Sequence, residues 1–288
     1  MNSTIIDLTD EDENKNIIIE NRKRVRLDGR VCLDNVPRLF DDHGFPLKLN
    51  DDVINFFLGQ YLPKYGFAEQ SKKEIAVFDT YFMSKLRRYE TDLMNDENYD
   101  TLYKEIHRNG ETRPLEKNVL VIPCHYEIHW FLIVIHNPLG LVLSKDEKII
   151  DQELKNEDED LFCRIMFMDS LMKDPKNQAV LTRIHERTFD LLRNWLIMIF
   201  SAHKCVILRS RISMIRCSSL PQQKNNVDCG LFVLAYAEVF LMHKYELWTK
   251  MQTSQLKRFK FGDEFTRDLH NGEIRKSLSQ IFQLLSKF

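Results

Sequence analysis

The segment NVLVIPCHYEIHWFLIVIHNP, Asn118 to Pro138, constrains the fold more than any other part of the chain. It holds two apolar runs of strand length, one expected to end at Pro123 and the other to run from His129 to Ile135. The second run has almost no polar residue, as expected for a strand covered on both faces. Helical patterns are available to cover it. LNDDVINFFLGQYL, Leu49 to Leu62, carries Val53, Ile54, Phe56, Phe57, Leu58 and Tyr61 at helical spacing, with Asn50 or Asp51 as the N-cap. KKEIAVFDTYFMSKL, Lys72 to Leu86, reads as a short strand running into a helix capped by Asp79 or Thr80. Residues 179–200 form a long amphipathic helix around Ile184, Leu191, Leu192, Trp195 and Leu196. RIMFMD, Arg164 to Asp169, and the stretch from Ile212 to Cys217 supply further strands, and a last helix is expected from Gly230 to about Lys244. Strands interleaved with helices of this length indicate an α+β domain with a central sheet flanked by helices.

Composition narrows the class. With 288 residues, 43% hydrophobic and 11% aromatic, the chain can bury one large core or two small ones. A net charge of −2 exerts no global pull toward nucleic acid, so no direct nucleic-acid partner is expected. No apolar run reaches the ~18–20 residues of a membrane span, so no membrane role is expected. The start, MNSTIIDLTDEDE, has no apolar signal-peptide stretch, which points to an intracellular protein. Residues 1–35 lack aromatics and read as a disordered tail, and residues 36–288 as the folded domain. Within that domain, residues from about 140 to 162 form an acidic insertion; Lys145 to Asp160 alone holds eight acids against three lysines.

The six cysteines, Cys32, Cys124, Cys163, Cys205, Cys217 and Cys229, are far apart and form no CxxC pair. Five read as small core residues, but Cys229 does not. It closes the polar stretch PQQKNNVDCG, Pro221 to Gly230, and immediately precedes the apolar run LFVLAYAEVFLM. A cysteine at a helix N-terminus sits where free N–H groups and the dipole favour a thiolate. Gly230 beside it has no side chain to block an approaching carbonyl. A nucleophile also needs a base, an orienting acid and an oxyanion donor. His129, at a strand end, is the candidate base, and Asp169, where an apolar strand stops, is the candidate orienter. The amide of Gln223, six residues before Cys229, is the candidate oxyanion donor. Each residue alone has a plainer reading as turn, cap or surface chemistry.

Four segments together resemble the cysteine proteases specific for SUMO, the small ubiquitin-like modifier, and related modifiers. They are LNDDVINFFLGQYL, the pair His129-Trp130, MDSL around Asp169, and the loop with Gln223, Asn225, Asp228, Cys229 and Gly230 in Q-x-N-x-x-D-C-G spacing. The resemblance covers roughly residues 40–288 and implies a papain-like α+β fold with catalytic order His129, Asp169, Cys229. It implies that Trp130 covers a narrow tunnel passing only a diglycine tail, and that no cofactor or metal is required. The acidic insertion is similar to that of the branch acting on SUMO chains. One departure is Lys48, where many members carry an aromatic residue before the L-N-D triplet.

In the tail, TIIDLTDEDE resembles a SUMO-interacting motif, with Ile5, Ile6 and Leu8 as its apolar core and acids behind. Arg22 to Arg26 resembles a nuclear import signal, so the nucleus, with the cytoplasm as a second site, is the expected location. The functional expectation is a monomeric thiol isopeptidase whose partners are SUMO and SUMO-conjugated proteins. Three alternatives stay open: a protease for another modifier such as NEDD8, a non-catalytic SUMO-binding scaffold, and a zinc site. The zinc reading puts His125, Glu127 and His129 on one face of a strand, though no HExxH is present.

Overall fold

The computed structural model describes residues 4–6, 17–19, 39, 41–43, 45–62, 73–94, 102–104, 113–142, 162–240 and 275–276. Near the start, β1 (Thr4–Ile6) pairs antiparallel with β2 (Ile17–Ile19), placing Thr4 opposite Ile19. The other five strands among the described residues form one mixed sheet: β3 (Ile75–Val77), β4 (Val119–Tyr126), β5 (His129–His136), β6 (Cys163–Met168) and β7 (Ile212–Arg216), in that spatial order. β5 runs antiparallel to both β4 and β6, whereas the outer strands β3 and β7 run parallel to their neighbours. Strands and helices stand where the sequence places them and the α+β class is confirmed, while residues 241–244 of the expected last helix lie outside the described residues.

The alternation of side chains along β5 divides the core in two. Trp130, Leu132 and Val134 face one layer, shared with Val53 and Ile54 of α1 (Asp51–Phe56) and Leu231 to Tyr236 of α4 (Cys229–Glu238). Phe131, Ile133 and Ile135 face the other, shared with Met83 and Leu86 of α2 (Tyr81–Arg88) and Leu192, Trp195 and Leu196 of α3 (Gln178–Ala202). β5 is therefore apolar on both faces because helices cover both. Trp195 closes an aromatic contact with Phe82, ring centroids 4.9 Å apart. Asn50 caps α1, its side chain accepting from the Val53 N–H at 3.1 Å.

One strand boundary differs from expectation. β4 does not stop at Pro123 but continues to Tyr126, with Pro123 opposite Leu132 of β5. The reason lies in the register. Val121 turns its carbonyl toward β3 and accepts from the Phe78 N–H at 2.9 Å. By the two-residue alternation, Pro123 turns its nitrogen to that same edge, beyond the end of β3 at Val77. The proline's missing donor thus falls where no ladder bond is required, and the β5 side stays intact.

Candidate active site

Antiparallel pairing brings the candidate residues to one end of the sheet. β5 begins at His129, and β6 ends at Met168, paired with Leu132, so Asp169 emerges beside His129. β7 runs parallel to β6 and exits at the same end, and the Cys217 N–H donates to the Phe167 carbonyl at 3.0 Å. The loop that follows crosses this end and delivers Cys229 as the first residue of α4. Tyr236, further along α4, anchors the loop by donating its hydroxyl to the Pro221 carbonyl.

His129, Asp169 and Cys229 come together. His129 Nε2 lies 2.9 Å from Asp169 Oδ1, and the imidazole is near enough to the Cys229 thiol to favour its ionisation. Since Nε2 serves the carboxylate, Nδ1 is the nitrogen left for sulfur. Asp169 is fully buried, and Oδ1 also accepts from the Leu171 N–H at 2.8 Å. Its second oxygen, Oδ2, lies 2.9 Å from Nε2 of His185 on α3. Sequence reasoning missed His185. It also missed Gln222, whose amide donates to the carbonyls of Asp169, Leu220 and Pro221 and so fixes the loop against the strand end.

The electrostatics favour an ion pair. Burial pushes the Cys229 thiol up, but the His129 hydrogen bond and charge, with the backbone N–H groups of Trp130 and Gly230, bring it below its ordinary value. Burial would lower the His129 pKa, yet hydrogen bonds to Asp169 and Cys229 and their charges raise it to about 9. Burial would raise the Asp169 carboxyl, but His129 and His185 hold it well below the usual carboxylate range. Burial alone pushes Cys217 up to about 12, and it brings Cys124 to a similar value against the lowering effect of Arg87. These thiols are inert, whereas Cys229 is poised as a nucleophile.

The other expected site residues fall as follows. Trp130 is buried, with its indole N–H donated to the Leu49 carbonyl at 3.2 Å and its ring 4.4 Å from that of His125. Gln223 accepts from the Ser170 hydroxyl at 2.6 Å and donates Nε2–H to the Asn225 carbonyl. Lys48 Nζ reaches the Ile128 carbonyl over a long 3.5 Å. Asp228 accepts from the Asn225 amide and, at 2.6 Å, from Arg275. Arg275 is buried and also donates to the carbonyls of Leu39 and Leu47, tying three distant segments together beside the nucleophile. Of the tail motif, Ile5 and Ile6 lie in β1, and Leu8 lies outside the described residues, as do the basic cluster, Cys32 and residues 143–161 of the acidic insertion.

The strand required by the zinc reading is broken. Glu127 and Ile128 form the turn between β4 and β5, and Glu127 has φ of 54°. His125, Glu127 and His129 therefore share no strand face. His125 lies tilted against Trp130 while His129 turns to Asp169.

Gly230 has a packing role that the sequence did not disclose. A Cβ at this position would lie 2.8 Å from the Leu49 Cβ, so the glycine lets α4 approach the segment that holds Trp130. Gly230→Ala is expected to cost about 1–3 kcal/mol through overpacking, read as a lower midpoint in urea unfolding. An unchanged midpoint would show that Leu49 yields freely.

The profile of the Ulp1 protease family, C-terminal catalytic domain, matches residues 47–264, more than half of the chain. The chain belongs to the Ulp1 protease family. Among relatives in this family, a probable ubiquitin-like-specific protease 2B of Arabidopsis thaliana is 29% identical over 200 residues, covering 67% of this chain and 19% of that protein. Ubiquitin-like-specific protease 2 of Saccharomyces cerevisiae is 25% identical over 248 residues, covering 82% of this chain and 22% of that protein. The chain thus spans about a fifth of the length of these two relatives. The fold is also similar to the crystal structure of a de-sumoylating protease, with TM-score 0.54, 18% identity, and coverage of 88% of this chain and 83% of the other.

Proposed function

We propose that this chain is a SUMO-specific thiol isopeptidase that cleaves after the modifier's C-terminal Gly-Gly. The observation that carries the reading is the array Cys229, His129, Asp169, a buried thiol lowered by a partly exposed imidazole that a buried carboxylate supports. Cys229 Sγ, as thiolate, attacks the carbonyl carbon of the terminal glycine to give a tetrahedral oxyanion. Collapse breaks the C–N bond, and the His129 imidazolium gives its proton to the departing lysine amine. His129, now neutral, takes a proton from water, whose oxygen attacks the thioester and frees the glycine carboxylate and Cys229. Gln223 is assigned as oxyanion donor through the Nε2 hydrogen that Asn225 does not take. Asp169 stays ionised and holds the imidazole upright.

The near-complete enclosure of Cys229, 1% exposed, favours a substrate that reaches sulfur as a bare backbone. Trp130, fixed through Leu49, serves in this reading as the roof of a slot that admits glycine and rejects larger side chains. Residues 36–288 then act as the catalytic domain. The acidic insertion allies the chain with chain-editing enzymes. Ile5, Ile6 and Leu8 recruit SUMO, and Arg22 to Arg26 direct a monomeric enzyme to the nucleus.

A SUMO probe with a C-terminal vinyl sulfone is expected to label wild type at Cys229. Labelling of any other cysteine would refute the assignment. Parallel cleavage of SUMO and NEDD8 fusions decides the modifier, and faster NEDD8 cleavage would replace SUMO in the reading.

A further inference from the structure

We propose that His185 is a positioning residue of the active site, a second imidazole that donates Nε2–H to Asp169 Oδ2 and so locks the carboxylate that orients His129. The proposal deepens the thiol-protease reading and rests on it.

The geometry is specific. Asp169 is 0% exposed and His185 1% exposed, and their contact is 2.9 Å. The carboxylate's two oxygens are divided between two imidazoles, Oδ1 facing His129 and Oδ2 facing His185. His185 enters from α3, an element that contributes no other candidate residue to the site. Its ring lies between Phe131 and Phe167, with centroids 5.1 Å and 4.8 Å away. This cage fixes the plane of the ring and leaves its far side apolar.

The far nitrogen identifies the tautomer. His185 Nδ1 is buried with no hydrogen-bond partner among the described residues. A proton there would be a buried donor with nothing to receive it, whereas a bare ring nitrogen is the cheaper unpaired group. The hydrogen therefore sits on Nε2, where Asp169 can accept it. His185 thus engages Oδ2 and leaves Oδ1 to His129.

Without that donor, Oδ2 would face the phenyl rings unpaired. The carboxylate would then gain by rotating or by binding a proton, and either change withdraws Oδ1 from His129. The imidazolium would lose its support, and the thiolate with it. His185 touches neither sulfur nor substrate, so its effect must pass through Asp169 and His129.

The test compares His185→Phe, which fills the cage without a donor, with His185→Gln, whose amide N–H can reach Oδ2. Two readouts are taken: the pH dependence of Cys229 alkylation by iodoacetamide, which needs no protein substrate, and kcat and KM on a SUMO fusion. His185→Phe is expected to slow alkylation at pH 6 at least tenfold, move its acid limb to higher pH, and lower kcat with KM unchanged. His185→Gln is expected to recover most of both rates. A His185→Phe alkylation profile that superimposes on wild type, or an equal loss in His185→Gln, overturns the proposal. If wild type alkylates selectively at Cys229 but cleaves no SUMO fusion, the substrate reading fails while the alkylation profiles still decide the role of His185.

Discussion

Cys229→Ser is expected to abolish turnover, a fall on the order of 10⁴-fold or more in kcat, while substrate binding persists. The array is tuned to a thiol. His129, raised to about 9, is a proton holder that coexists with a thiolate but is far too weak a base to leave a serine hydroxyl ionised. Oxygen also replaces sulfur with little change of volume in a position that is 1% exposed, so the packing of α4 is kept. Single-turnover cleavage of a SUMO-lysine conjugate measures the first expectation. Titration of the uncleaved conjugate onto the variant measures the second. Turnover above about 1% of wild type would require a different nucleophile.

Asp169→Asn should lower kcat by about 10³–10⁴-fold, although the side chain is almost unchanged in shape. The carboxylate receives three donors, from His129, Leu171 and His185. An asparagine has one oxygen for them and an NH₂ that must confront at least one. If the oxygen faces His129, the imidazolium still loses its counter-charge. If the NH₂ faces it, the wrong nitrogen of His129 carries the hydrogen.

The pH dependence gives the sign. In wild type, activity requires the Cys229 thiolate, formed below the ordinary thiol range, and the His129 imidazolium, which is lost as pH rises through about 9. Asp169 hydrogen bonding and charge hold His129 up, so their removal must move the alkaline limb of kcat/KM to lower pH. An alkaline limb that stays in place in Asp169→Asn would show that the aspartate does not support the imidazolium.

The candidate triad was legible because each member sits at a seam. His129 opens an apolar strand, Asp169 closes one, and Cys229 separates a polar loop from an apolar helix, so polarity changes where chemistry is placed. His185 was hidden by the opposite circumstance. It lies within the apolar stripe of α3 with Leu181, Thr188, Leu192 and Trp195, where a single polar residue resembles ordinary core filling. The signal was its register on the buried face, and only the position of Asp169 shows what it is for. Pro123 misled for a related reason. A proline ends a strand only if its nitrogen faces a partner, and that depends on where β3 stops. The spacing of His125, Glu127 and His129 suggested a shared face, but the turn at Glu127 breaks the alternation on which that inference depends. Gln223 was found by its spacing from Cys229, whereas its bonds to Ser170 and Asn225 come from tertiary packing.

The guanidinium of Arg275, shared among Asp228, Leu39 and Leu47, makes the reactive loop dependent on segments more than two hundred positions apart. Asp228, beside the nucleophile, takes its ion pair from Arg275, 47 positions further along the chain. The residue that precedes the nucleophile is thus held by a side chain remote from the triad in sequence, one that also fastens the segment leading into α1.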